Sequence, residues 1–231
     1  IGGDWFDIDP SSDMQKNPVW YGADIIKKIQ NCSVAQEIGC HTFSHVIAGK
    51  DGCSLECFRS ELNACELAAA KYDIKLTSFV YPRNLPAYES ELAANGYKVY
   101  RGPNDTWYQK LPKYLRILAH GLDNYFNPRS PAVSAQWTKD NLLMIPGSYF
   151  YPHRHGWARL LPIRFRVKKV IAGLELASRG NKIFHLWTHP FNIASDPEGL
   201  LGGLEAIFKK VDRMRSENRL SNVTMSQATL L

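Results

Sequence analysis

No apolar run in this 231-residue chain approaches the ~20 residues that a helical membrane span needs, so none is expected. No glycine-rich phosphate loop follows a strand-like segment, which counts against a nucleotide enzyme. No Gly-x-Ser-x-Gly elbow is present, which counts against a serine esterase. Repeats and low-complexity linkers are absent as well, so residues 1–231 read as one domain with a real core. The five cysteines (Cys32, Cys40, Cys53, Cys57, Cys65) are odd in number and confined to the early chain. That distribution does not build a disulfide framework, and it fits a cytoplasmic location with reduced thiols. Cys53, Cys57 and Cys65 fall on one side of an expected helix, where free cysteine behaves as a small hydrophobe rather than a second metal site. The chain opens on Ile1 rather than Met, with no charged-then-apolar leader, which reads as a removed leader or a fragment.

The formal net charge is +6, with the excess in the C-terminal third, in residues such as Arg154, Arg166, Lys169, Lys209 and Arg213. An anionic substrate or a membrane surface would suit that charge, but solvated helix faces account for it more simply. Nucleic acid is the weakest partner, because the basic stretch lacks an aromatic stacking pattern.

Strand-like and helix-like segments alternate. Helices are expected from Gly22 to Ile29, after an N-cap at Ser54 to about Tyr72, and from about Ala87 to Ala94 with Asn95-Gly96 as the C-cap pair. Further helices are expected near Tyr114 to Leu118, from Pro162 to Arg179 capped by Gly180, from Pro197 to Asn218, and after a cap at Ser226. Strands are expected at Glu37–Cys40, Leu76–Tyr81, Tyr97–Tyr100, Leu142–Ile145, Lys182–Thr188 and Asn222–Met225. Such alternation implies a parallel sheet with helices outside, and the chemically interesting residues follow strand ends. Both α/β barrels and open doubly wound sheets place their sites on that edge.

Three segments carry the chemistry. His41-Thr42-Phe43-Ser44-His45 presents two histidines at i and i+4, which face the same way if the segment turns helically, as a metal pair would. Two surface histidines four apart is the plainer alternative. Tyr81-Pro82-Arg83-Asn84 and Phe184-His185-Leu186-Trp187-Thr188-His189-Pro190 each end a strand. Tyr81 and Trp187 read either as sugar-stacking rings or as core aromatics. Thr42 and Ser44 read as fixing their loop by local backbone bonds, and His185 as a buried hydrogen-bonded histidine. His153 and His155 fall in a polar loop.

Together these segments resemble the polysaccharide deacetylase family, the NodB-homology or carbohydrate esterase 4 type. His41, Thr42 and His45 match its His-Ser/Thr-x-x-His motif, residues 81–84 look like a variant of its third motif, and residues 184–190 look like its fifth. The resemblance spans about Gly22 to Met225. The family's first motif, a strand carrying paired aspartates, has no counterpart here; Asp4, Asp7 and Asp9 lack its apolar setting. The resemblance therefore implies an incomplete α/β chain, a (β/α) barrel of the NodB-like type missing its N-terminal strand. It implies metal-dependent removal of N-acetyl or O-acetyl groups from a carbohydrate of surface polysaccharide metabolism. His41 and His45 would hold Zn or a similar divalent ion. His189 would protonate the leaving group, and Arg83 would orient a base aspartate. Tyr81, Asn84 and Trp187 would line the substrate groove. A glycan-binding pseudoenzyme of the same fold is the alternative, and residues 1–231 alone are expected to be weakly active or inactive.

Overall fold

The computed structural model describes residues 9–49, 52–104, 111–116, 119, 123 and 132–231. Asp4 and Asp7 lie outside them, as does the end of the helix expected near Tyr114 to Leu118.

The first helix, α1 (Ala23–Gln30), has Asn31 as its C-cap. The second, α2 (Leu55–Ala70), starts where Ser54 accepts a bond from Cys57 N, a side-chain cap for an otherwise open helix end. Phe58, Leu62 and Ala69, spaced for one face, are its buried stripe. Strand β1 (Ser78–Val80) follows, and α3 (Glu89–Ala94) leads into β2 (Val99–Gly102). Gly96 carries a φ of +83° at the helix exit, a left-handed turn that glycine takes without strain. Strands β3 (Gln136–Trp137), β4 (Leu143–Pro146) and β5 (Tyr149–Phe150) precede α4 (Ile163–Gly180). Strand β6 (Leu186–Trp187), the short α5 (Pro190–Ile193) and α6 (Pro197–Ser216) complete the order, before a 3-10 turn at Gln227–Leu230.

Strands β1, β2 and β4 are parallel, with Phe79 opposite Tyr100 and Tyr100 opposite Met144. Antiparallel β3 closes the far side, giving the order β1-β2-β4-β3, while β5 and β6 form a parallel pair. Among the described residues these strands do not close into a barrel. Cys40 adds one parallel bridge to Phe79, through Cys40 N to Ser78 O at 2.9 Å and Val80 N to Cys40 O at 2.8 Å. The expected Glu37–Cys40 strand thus contracts to its last residue.

One core packs α2 and α3 against the first sheet around Phe58, Leu62, Phe79, Tyr81, Leu92 and Tyr97. A second packs α4 and α6 against β5 and β6 around Tyr149, Tyr151, Val170, Leu200, Ile207 and Met214.

Several expectations are corrected. Residues 222–225 are not a strand, and Ser226 does not cap through its side chain. Its backbone N–H and hydroxyl both donate to the Glu37 carboxylate, and its hydroxyl also meets Thr77 Oγ1 at 2.6 Å. Burial pushes the Glu37 carboxyl up, but hydrogen bonds from Ser226, Ser78 and Thr224 together hold it below its usual range. Helix α4 ends on Asn181 in the left-handed region, not on Gly180. Leu204, Ile207, Phe208 and Val211 are expected on one side of the Pro197–Asn218 helix, but Ile207 is buried and Phe208 is 58% exposed. Cys53 and Cys57 are disulfide-bonded rather than free. Cys53 lies just before the α2 cap, and the pair's Cα atoms are 5.6 Å apart, inside the range such a bond spans.

Phe58 is fully buried and meets the rings of Phe79, Tyr81 and Tyr88. Phe58→Ala is expected to destabilise the chain by about 3–5 kcal/mol in urea denaturation, whereas Phe208→Ala stays within about 0.5 kcal/mol. Equal losses from the two would contradict this packing.

Candidate active site

The parallel strands all deliver their C-terminal ends to one edge, and His41 follows the Cys40 bridge there. Its Nδ1 lies 2.6 Å from Val80 O. A carbonyl only accepts, so the proton sits on Nδ1 and Nε2 is left as the lone-pair nitrogen. Burial pushes the His41 pKa down, helped by the charges of His45, Arg101 and His189 and opposed by the Val80 bond.

The 42–45 segment does not turn helically. Thr42 and His45 have φ of 62° and 61°, and the two histidine rings nevertheless meet edge-on with centroids 4.9 Å apart. Glu61 on α2 holds this turn: its carboxylate accepts from Phe43 N at 2.8 Å, Ser44 N at 2.7 Å and Ser44 Oγ at 2.7 Å. Ser44 therefore fixes the loop through a distant carboxylate rather than local backbone. The buried Thr42 hydroxyl makes no hydrogen bond among the described residues.

His189 follows β6 and caps α5. Its ring stacks on Phe191 at 4.9 Å and meets Trp187 edge-on at 5.6 Å. Burial lowers its pKa first, then the charges of Arg101 and His45. His189, His45 and His41 are thus within electrostatic reach of one another at one strand edge.

A charge that bears on two of them, His41 and His189, is Arg101, near the end of β2 and 8% exposed. Its Nε and Nη2 donate to Asn84 Oδ1 at 3.1 and 2.7 Å, and its guanidinium carbon lies 4.2 Å from the Trp187 ring centroid. Burial lowers its pKa to about 10. Sequence reading missed Arg101 because the expected strand stopped at Tyr100; the pairing continues through Arg101 to Gly102. The only signal was an arginine following an apolar run. Glu61 was missed too, being one polar position on a helix face. His185 is driven down to about 4 by burial, with Arg101 adding and the Pro146 carbonyl opposing.

Other candidates fall elsewhere. Tyr81 is fully buried with its hydroxyl on Ala87 O at 2.9 Å, so it is a core residue whose ring cannot stack on a ligand. Arg83 is exposed and makes no hydrogen bond or ion pair among the described residues, whereas Asn84, beside it, reaches Arg101. His153 and His155 stack on each other at 4.1 Å in a separate loop.

His41 and His45 have the donor chemistry of half a tetrahedral zinc set, and the Val80 carbonyl, accepting from His41 Nδ1, fixes that ring with Nε2 free to bind. Among the described residues no group of three or more His, Cys, Asp or Glu is placed to hold a metal. No family model matches this chain, and no curated protein matches it.

Two outcomes follow. A histidine lowered in the fold stabilises in its neutral form, so His185 contributes fully above the ordinary 6.5 and its contribution is lost as pH falls toward about 4. Ring titration by NMR is expected to place His185 near the lower value; a titration at 6.5 would contradict its burial. Glu61→Gln is expected to speed amide exchange at Phe43 and Ser44 while leaving the α2 interior unchanged, and unaltered exchange at both would remove the clamp.

Proposed function

We propose that this chain is a polysaccharide-deacetylase-like hydrolase of the (β/α) barrel type that removes acetyl groups from a carbohydrate. The supporting observation is the contact of the His41 and His45 rings at the edge of a parallel sheet, with His189, distant in sequence, close enough for its charge to bear on His41. A divalent ion held by His41 and His45, zinc by the chemistry of those donors, would polarise the acetyl carbonyl and acidify a bound water. The Val80 carbonyl keeps His41 in the tautomer whose Nε2 is the ligand. His189, its pKa lowered, is held toward the neutral form, in which it would take the proton that the attacking water loses and pass it to the leaving nitrogen or oxygen as the bond to the acetyl carbon breaks. Its stack on Phe191 and edge contact with Trp187 fix the ring for that transfer. Trp187 is half-buried and Asn84 partly so, which leaves both as groove-wall candidates for a sugar.

A second reading, glycan binding without turnover, is favoured by one observation. Among the described residues, no carboxylate appears with the groups that bear on His41, His189 or Arg101. Acetate release from an acetylated chitin oligomer, measured beside oligomer binding, separates the two.

His41→Ala and His45→Ala are each expected to weaken zinc binding by at least the ~10–100-fold that loss of an outer-shell partner costs. His189→Ala is expected to leave zinc binding intact and reduce acetate release by roughly 10²–10⁴-fold. Zinc content unchanged in both His41→Ala and His45→Ala would overturn the assignment.

A further inference from the structure

Buried cations elsewhere in the chain are provided for. Lys169 pairs with the Asp123 carboxylate at 3.3 Å. Arg166 donates to the Pro152 and His153 carbonyls at 2.6 and 2.9 Å, closing a loop onto α4. Arg101 differs. Its hydrogen bonds go to one neutral amide oxygen, and its flat face rests on an indole. Among the described residues no carboxylate pairs with it, and burial lowers its pKa. Its charge bears on imidazoles: His41, His185 and His189 all feel Arg101 as a repelling cation.

Two donors on this pair are open. Arg101 Nη1 makes no hydrogen bond among the described residues, and Trp187 Nε1 is buried without an acceptor. Gly147 lies against that nitrogen; a Cβ there would stand 2.9 Å from Trp187 Nε1, so any side chain at 147 would crowd it. Asn84 and Trp187 between them fix the plane and tilt of the guanidinium, which is the preorganisation that oxyanion recognition by arginine requires. A buried cation without a counter-charge costs the fold stability, and an arriving anion removes that cost.

We propose that Arg101 is the core of an anion-binding site at the sheet edge, taking the carboxylate or phosphate group of a ligand on its free guanidinium edge. The site needs no metal, and stands or falls separately from the deacetylase reading. It implies that the ligand in this cleft carries an acidic group within reach of the three imidazoles.

The test uses the whole chain without added metal. Calorimetric titration and thermal melts are run with sodium acetate and with inorganic phosphate, against sodium chloride at matched ionic strength. Wild type is expected to bind at least one oxyanion and to melt higher in its presence than in chloride. The stronger of the two arms assigns the group as carboxylate or phosphate. Arg101→Met is expected to weaken that binding at least 10-fold while melting, ligand-free, no lower than wild type, because an unoffset buried charge is gone. Arg101→Lys keeps the charge without the fork and is expected to bind between the two. A response to acetate and phosphate no larger than to chloride overturns the site. So does undiminished binding by Arg101→Met, or a ligand-free Arg101→Met that melts lower with Arg101→Lys binding like wild type, since Arg101 would then be a packing residue.

Discussion

Two backbone hydrogen bonds tie Cys40 into the sheet beside β1, from Cys40 N to Ser78 O and from Val80 N to Cys40 O. They make the chain before His41 run parallel to β1, β2 and β4, so that each of these segments ends on the same edge. The rest of the candidate site depends on that shared direction. His41 can reach the Val80 carbonyl because the bridge stops one residue earlier. Asn84 can reach Arg101 because β1 and β2 are in register, with Val80 opposite Arg101. Antiparallel pairing at either place would send one of these groups to the opposite end of the sheet.

The electrostatic character of that edge follows from what is buried there. Arg101 sits between strands, out of water, with an amide and an indole for company. Its field and the loss of hydration act in the same direction on His41, His185 and His189, and all three are held toward the neutral form. Neutral imidazoles are the form that binds metal and accepts protons. The same field is unfavourable to a bare divalent cation, and a carboxylate ligand or an anionic substrate group would relieve it. The metal reading and the anion site therefore ask for the same missing ingredient, negative charge.

The helices were the most legible part of the sequence. Ser54, the Phe58-Leu62-Ala69 stripe and Asn95-Gly96 act locally, and their signals are local as well. For the expected strands that form, only the C-terminal ends were legible, to within two residues, and that margin decided the site. Ending β2 at Tyr100 hides Arg101, whereas hydrogen bonding between two neighbours carries the strand through a charged residue. Tyr81 looked like a groove residue by motif and is core by packing, since its ring fills space among Phe58, Phe79 and Tyr100. Residues 222–225 looked like a strand by composition, but Ser226 binds Glu37 and Thr77, and among the described residues β6 pairs with β5 alone. The tie between Glu61 and the 43–44 turn crosses 17 and 18 positions, and no spacing rule announces it.

The central claim is that one buried guanidinium faces histidines brought from two distant parts of the chain. Ring titrations of His41 and His189, followed by NMR in wild type and in Arg101→Met, test it directly. Removing the cation is expected to raise both pKa values. Rings that titrate identically with and without Arg101 would show that these groups do not share a cleft, and would contradict the account.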